Sequence, residues 1–187
     1  MGRWEPDAAG RLREAAMALY AERGYDGTTV ADIADRAGVT ARTFFRHFAD
    51  KREVLFNGSE RLQQHMVAAL AAAPADATPM EAMATAVLAS AEFFDHIPRE
   101  YSRDRAAVIT STPELLEREL IKMASLGTAL TQCLLERGVA PDVAALAAET
   151  GVAVFRVAFE RWIGAPDDVP IADVIQATLK TLAGLTA

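Results

Sequence analysis

Apolar residues recur at helical spacing along nearly the whole chain, and the strict alternation of apolar and polar residues that marks strands is absent. Leu12, Ala16 and Leu19 begin this pattern and form one stripe of a first helix over about residues 7–23. Gly24 follows, and a glycine just beyond the last periodic residue favours a helix end. The pattern therefore predicts an all-α protein.

Capping residues divide the next part of the chain into three further helices. Thr29 is a good N-cap for a short second helix, which Gly38 ends, and Thr40 caps a short third helix. Asp50 stands three residues before Glu53, which resembles a capping box at the start of a long fourth helix. That helix is expected to run to about residue 70.

Prolines and glycines delimit five more helices in the second half of the chain. Thr78-Pro79 and Thr112-Pro113 each place a capping hydroxyl before a proline at the first helical position. The expected helices are about 79–95, 99–110, 113–137, 141–163 and 170–183. About nine helices are therefore expected in all.

The composition is that of an ordinary globular protein, with 51% hydrophobic and 24% charged residues in a chain of 187. One cysteine, Cys133, precludes an intrachain disulfide, and neither a membrane-spanning run nor a signal peptide is recognisable. A cytoplasmic protein of one large or two small domains is expected. The net charge of −7 arises from residues 62–187, because residues 1–61 carry ten basic and ten acidic side chains. Such a neutral region can still bind phosphate if its arginines gather on one face.

The run from Thr28 to Leu55 has the pattern of a helix-turn-helix, in which Gly38 and Val39 join two short helices. The second of these helices would enter the major groove of DNA. The residues that helical spacing places on its outer face are Ala41, Arg42, Phe45 and Arg46. Candidate phosphate contacts at three helix N-termini are Thr29, Thr40 and Lys51, and the residues that flank the outer face are Thr43 and His47. A purely structural interpretation stays open, because short amphipathic helices joined by a glycine turn occur in many helical proteins.

The residues of this run resemble the N-terminal domain of TetR-family repressors over about residues 8–60. The similarity lies in the string GYDGTTVADIADRAGVTARTFFRHFADKREVL, with its TTVxxIA cap, AGVT turn, aromatic pair, HF and following lysine. The resemblance implies a homodimer, a palindromic operator and repression relieved by a small molecule. It implies DNA contacts at Thr29, Thr40, Ala41, Arg42, Thr43, Phe45, His47 and Lys51. The family often has tyrosine where this chain has Phe45, so a phosphate contact from a hydroxyl is not expected there.

These features predict two functional domains. Residues 8–68 are expected to form a three-helix DNA-binding domain, with the helix-turn-helix at about 29–48, and residues 69–187 a helical domain for ligand binding and dimerisation. Apolar stripes in the second domain could line a pocket between helices. The candidate pocket residues are Met83, Val87, Phe94, Tyr101, Arg103, Met123, Leu126, Leu130, Phe155 and Phe159. The alternative, which is favoured for any single residue, is that they form core.

Residues from about 80 to 165 also resemble, more weakly, the C-terminal domain of TetR-type regulators such as the mycofactocin regulator, which are thought to sense acyl-CoA-like ligands. The similar segments are RAAVITSTPELLER, LLERG and FRVAFERW. An acyl-CoA-like effector would need a basic entrance for its phosphates, and Arg99, Arg103 and Arg105 are the candidates. The alternative is that these arginines pair with Glu100, Asp104 and other surface acids.

Dimerisation is expected through the last two helices, with two helices from each subunit in a four-helix contact. The small residues expected to allow close approach are Ala144, Ala145, Ala147, Ala148 and Gly151. The expected partners are thus double-stranded operator DNA, a second copy of the chain and a small apolar or acyl-type effector. Neither a cofactor nor a membrane partner is expected.

An enzyme is the main alternative class, and the sequence argues against it. His47, His65 and His96 are the only histidines, and none stands at metal-ligand spacing with Cys133 or a pair of carboxylates. The chain also lacks the GxSxG, P-loop and GxGxxG motifs. Two further alternatives stay open: a ligand-dependent activator, and a helical small-molecule binding module without sequence-specific DNA binding.

Overall fold

The computed structural model of the protein describes residues 7–185, and the regular elements in this range are α-helices. They are α1 (Ala8–Arg23), α2 (Val30–Arg36), α3 (Ala41–His47), α4 (Glu53–Phe56), α5 (Ser59–Ala71), α6 (Pro79–Phe94), α7 (Arg99–Ser111), α8 (Pro113–Glu136), α9 (Pro141–Ile163) and α10 (Ile171–Leu185). The predicted all-α fold is confirmed. The expected fourth helix forms two helices, α4 and α5, because the chain turns at Asn57 and Gly58, two residues of low helix propensity. None of the described helices has the combined length and apolar character of a membrane span.

Local capping interactions set several helix ends where the sequence predicted them. The Thr40 side chain accepts a hydrogen bond from the Thr43 backbone N–H at 3.2 Å. Gly38 has a φ of 68°, the left-handed conformation that a glycine after a helix adopts without strain. The Asp50 carboxylate accepts from the backbone N–H groups of Arg52 at 2.8 Å and Glu53 at 3.1 Å. However, α4 begins at Glu53 with Arg52 at its N-cap position, two residues later than a capping Asp50 would place the start, so the expected capping box is wrong.

Contacts divide the chain into two units. The first unit comprises residues 1–58 together with 104–119, and the second comprises residues 59–103 together with 120–187. Residues 104–119, which the sequence patterns placed in the C-terminal domain, thus group by contact with the N-terminal helices. Large side chains with 0–1% of their surface exposed fill the first unit: Leu12, Ile33, Phe44, Val54, Phe56 and Leu115.

In the second unit, one face of α9 packs against α6. A β-carbon built on Gly151 would lie 2.4 Å from the sulfur of Met83 and 2.5 Å from its γ-carbon, so only glycine fits at this crossing without movement. Ala144 and Ala148 are also completely buried in this core. The expectation that Gly151, Ala144 and Ala148 allow approach of a second subunit is therefore wrong. These small residues instead allow close packing of helices within one chain.

The opposite face of α9 is exposed and partly apolar. Leu146 has 71% of its surface exposed, and Val143 and Val157 each have 43% exposed. Positions 143, 146, 150, 153 and 157 follow the spacing of a single helix stripe, which lies opposite the buried face. This stripe, rather than the buried small residues Ala144, Ala147, Ala148 and Gly151, is a surface of α9 that a second subunit could cover.

Candidate nucleic-acid interface

Helix α3 has a buried aromatic face and a solvent-exposed face. Phe44 is 0% exposed and Phe48 is 3% exposed, and their ring centroids are 5.5 Å apart. These two rings attach the helix to the core of the first unit. The exposed residues of α3 are Ala41, Arg42, Phe45, Arg46 and His47, and Thr43 is half-buried. The structure thus brings the predicted outer-face residues together on one solvent-facing surface.

The exposed face of α3 is organised in two neighbouring rows. Arg42 and Arg46 are four residues apart and form a basic row, whereas Ala41 and Phe45 form an apolar row beside it. Arg46 Nη2 lies 3.4 Å from His47 Nε2. Guanidinium groups match the two acceptors of guanine, and apolar groups match the methyl group of thymine, so both rows suit the major groove.

Thr29 begins α2 with a full capping box. Its hydroxyl accepts from the Asp32 backbone N–H at 3.1 Å, and its own N–H and hydroxyl donate to the Asp32 carboxylate at 2.9 and 2.6 Å. These hydrogen bonds hold the pKa of Asp32 below its ordinary value, and the one from the hydroxyl contributes more than the one from the backbone. The N-terminus of α2 is therefore already paired with a carboxylate, and a DNA phosphate bound there would lie close to a group of the same charge.

Lys51, a predicted phosphate contact, is half-buried and holds the loop between α1 and α2. Its ammonium group donates to the carbonyl oxygens of Tyr25 at 2.8 Å and Thr28 at 3.0 Å. It also lies 4.1 Å from the centre of the Tyr25 ring, in cation–π geometry. Tyr20 donates in turn to the Lys51 carbonyl at 2.7 Å. Lys51 thus has an intramolecular role that sequence motifs did not reveal, while its contact with DNA stays a prediction.

Tyr25 is a second residue whose role depended on the tertiary structure. It is 5% exposed, and burial followed by its hydrogen bond to the Glu114 carboxylate raises the pKa of its hydroxyl far above the ordinary tyrosine value. Both residues belong to the first unit, although they are far apart in sequence. No local signal in the sequence pointed to the contact between Tyr25 and Glu114.

Two arginines hold the short helix α4 in the first unit. Arg105 Nε donates to the Leu55 carbonyl at 2.7 Å, and its Nη2 pairs with Glu119 at 3.0 Å. Arg118 Nη2 pairs with Glu53 at 2.7 Å. Because its guanidinium is engaged in this way, Arg105 does not form a basic entrance with the other two candidate arginines.

Arg99 and Arg103 bind the loop that follows α9 in the second unit. Arg99 donates to the carbonyls of Ala165, Pro166 and Val169, and its guanidinium lies 4.7 Å from the centre of the Trp162 ring. The contacts of Arg103 are the Ile163 carbonyl at 2.5 Å, the Ala165 carbonyl at 2.8 Å and the Asp167 carboxylate at 2.8 Å. The assignment of Arg103 to a ligand pocket is therefore corrected, because carbonyls and one carboxylate already bind its guanidinium.

Most of the other candidate pocket residues lie in one core cluster of the second unit. Those with at most 9% of their surface exposed are Met83, Val87, Phe94, Leu126, Leu130 and Phe155, and those partly buried against the cluster are Met123 and Phe159. Tyr101 is half-buried on α7. The ring of Phe94 lies 5.7 Å from that of Trp162, whose buried indole N–H has no hydrogen-bond acceptor among the described residues. In the same range of residues, no three His, Cys, Asp or Glu side chains are placed to hold a metal ion.

Two family models match the chain. That of the bacterial regulatory proteins of the tetR family matches residues 12–57, and that of the MftR C-terminal domain matches residues 77–186. TcmR, an HTH-type transcriptional regulator of Streptomyces glaucescens, is 43% identical over 75 residues, which are 40% of this chain and 33% of TcmR. KstR2, an HTH-type transcriptional repressor of Mycobacterium tuberculosis, is 50% identical over 46 residues, which are 25% of this chain and 23% of KstR2. The similarity thus spans only a quarter to a third of the length of these relatives.

The solved structures agree on the fold. The chain aligns with NalD of Pseudomonas aeruginosa, the secondary repressor of the MexAB-OprM multidrug efflux pump, with a TM-score of 0.64 and 16% identity. That alignment covers 96% of both chains. Because the second family model alone spans more than half of the sequence, the chain belongs to the TetR family of bacterial regulatory proteins and has a C-terminal domain of the MftR type.

Proposed function

We propose that this protein is a homodimeric transcriptional repressor that binds a palindromic DNA operator through α3 and releases it when a small apolar effector binds. We assign DNA binding to residues 8–68, and effector binding and dimerisation to residues 69–187. The exposed face of α3 supports the proposal most directly, because Arg42, Phe45 and Arg46 face solvent while Phe44 is completely buried. A helix with this arrangement can enter the major groove without losing its attachment to the core. The protein would act in the cytoplasm, where it meets its operator.

The charge distribution is compatible with DNA binding. The N-terminal 61 residues are neutral overall, but Arg42 and Arg46 concentrate positive charge on the exposed face of α3. Local potential, rather than net charge, determines attraction to phosphate. Thr40, whose hydroxyl caps α3, is proposed to approach the DNA backbone together with Thr29 and Lys51 after their internal hydrogen bonds rearrange.

The dimer is proposed to form through α9 and α10. Val143, Leu146 and Val157 expose apolar surface on α9, and Ala177 exposes a small side chain on α10. Covering such a stripe in a symmetric contact would remove apolar surface from water. For a repressor of this kind, the dimer must place its two recognition helices about 34–36 Å apart, one turn of DNA.

The DNA-binding proposal is tested by selecting an operator for the full-length protein from random double-stranded DNA. We expect a palindromic sequence whose affinity falls steeply with salt. Arg42→Ala should relax base preference at one position of each half-site, by about 1–3 kcal/mol. Failure to enrich any sequence, or equal affinity of the wild type and the variant for every operator variant, would contradict the proposal and favour a helical binding module without sequence-specific DNA binding.

The effector is proposed to bind within the apolar core of the second unit, near Phe94 and Trp162. The buried Trp162 indole N–H supports an effector that carries a hydrogen-bond acceptor, because an unpaired buried donor costs about 1–3 kcal/mol. An acyl-type effector is proposed from the resemblance of residues 80–165 to regulators thought to sense acyl-CoA-like ligands. The test is operator release by a series of free fatty acids and, in parallel, of their coenzyme A esters, with free coenzyme A as the control. Release supports a repressor, whereas tighter binding to DNA supports the alternative of a ligand-dependent activator.

A further inference from the structure

Among the Phe, Tyr and Trp residues that the structure describes, Phe45 is the one with an exposed side chain. It leaves 58% of its surface exposed, although most large aromatic side chains in proteins are largely buried. Phe45 lies on the face of α3 proposed to enter DNA, beside the basic row of Arg42 and Arg46. A phenyl ring neither donates nor accepts conventional hydrogen bonds, so its part in recognition must be apolar contact.

The surroundings of Phe45 hold its ring in place. Its centroid is 5.5 Å from that of Phe44 with an interplanar angle of 84°, an edge-to-face contact. Phe44 is itself completely buried, so the exposed ring rests on a fixed support. A phenylalanine has only two side-chain torsions, and this contact reduces the entropy lost when the ring binds a partner. Ala41, one turn earlier, extends the apolar row.

We propose that Phe45 recognises the 5-methyl group of a thymine in the major groove, next to a guanine read by the neighbouring arginine row. The inference rests on the proposed function and specifies its sequence preference. The thymine methyl is the one apolar group that base pairs present in the major groove. The apolar row of Ala41 and Phe45 beside the row of Arg42 and Arg46 matches a thymine methyl beside the acceptors of guanine. At a position where a tyrosine hydroxyl would contact a phosphate, Phe45 thus contributes to base specificity instead.

The test uses the full-length protein and the operator selected above. Each thymine of one half-site, and of its symmetry mate, is replaced in turn by deoxyuridine, which removes only the methyl group and retains base pairing. At one thymine per half-site, we expect the wild type to lose about four-fold in affinity per methyl, the factor that corresponds to burial of one methyl-sized group. Phe45→Ala should bind thymine and deoxyuridine operators alike at that position.

Arg42→Ala is the matched control, because it lowers affinity without removing the ring and should retain the preference for thymine. Circular dichroism is used to check that both variants keep the helical content of the wild type. The inference is overturned if no deoxyuridine operator binds more weakly than its thymine counterpart. It is also overturned if Phe45→Ala lowers the affinity for the thymine and deoxyuridine operators by the same factor and so keeps the preference for thymine, which would indicate contact with the sugar–phosphate backbone. Failure to select any operator is a different result, which contradicts the proposed function itself.

Discussion

Replacement of Gly151 by alanine is expected to destabilise the protein by about 1–2 kcal/mol, although alanine is the better helix former. In an exposed helix this exchange stabilises by about 1 kcal/mol. At Gly151 the new methyl group would lie 2.4 and 2.5 Å from two atoms of Met83, well inside van der Waals contact. Overpacking of a core costs about 1–3 kcal/mol, and the severity of this overlap with two atoms places the cost near the upper end. The clash therefore exceeds the gain in helix propensity.

The assay is urea unfolding followed by circular dichroism at one fixed protein concentration, because the proposed dimerisation would make apparent stability depend on concentration. Gly184→Ala is the matched control, and it should be neutral or slightly stabilising. Gly184 lies in α10 and, apart from its chain neighbours and the backbone of that helix, no atom of residues 7–185 lies within 4 Å of the position that its β-carbon would take. In a Met83→Ala background the sign should reverse, so that Gly151→Ala stabilises by up to about 1 kcal/mol. Equal or greater stability of Gly151→Ala in the wild-type background would refute the reasoning, and so would an unchanged effect after Met83 is truncated.

Three further predictions concern the dimer, the α1–α2 loop and the start of α2. Leu146→Glu should convert the proposed dimer to monomers, because it places a charge on the exposed stripe of α9. Ala145→Glu, on the same helix but outside that stripe, should leave the dimer intact. Light scattering measures the mass of each variant, and a dimeric Leu146→Glu variant would exclude this interface. Lys51→Met should lower the free energy of unfolding by about 1–3 kcal/mol, because two loop carbonyls lose a charged donor. If stability is unchanged and the salt dependence of DNA affinity falls by about one phosphate contact, Lys51 serves DNA contact alone. The lowered pKa of Asp32 means that its cap is fully formed above the ordinary aspartate pKa of about 3.9 and is lost as pH falls through the lower folded value. A carboxyl-carbon NMR titration should therefore give a lower pKa for Asp32 in the wild type than in Thr29→Val, and equal values would contradict the capping role.

Most of the helix ends could be predicted because the interactions that set them are local. The Thr40 cap and the left-handed Gly38 each involve partners within three residues, so a short window of sequence contains all the information. The outward direction of Arg42 and Phe45 followed in the same way from helical periodicity. These features also carried the family resemblance, which is why the candidate DNA-binding face of α3 could be predicted residue by residue.

The roles of the charged side chains could not be predicted in this way. Long side chains such as Arg99 and Lys51 reach backbone carbonyls that belong to other elements. Because any exposed carbonyl can accept a hydrogen bond, the sequence does not indicate which carbonyl such a side chain will bind. The same limit applied to Arg105, whose partners Leu55 and Glu119 lie 50 and 14 residues away. The proposed basic entrance failed for this reason, since sequence proximity does not show which groups a guanidinium binds.

By itself, the sequence determined the fold class, most of the helix ends and the outward face of α3, because periodicity and capping act over one or two helical turns. Only the tertiary structure decided which face of α9 is internal, since a small residue such as Gly151 is equally compatible with packing inside one chain or between two. It also decided that Lys51 holds a loop and that Phe45 alone among the large aromatic residues described stays in solvent. These outcomes depend on which surfaces meet when distant segments pack, a property of the assembled helices that no single stretch of sequence contains.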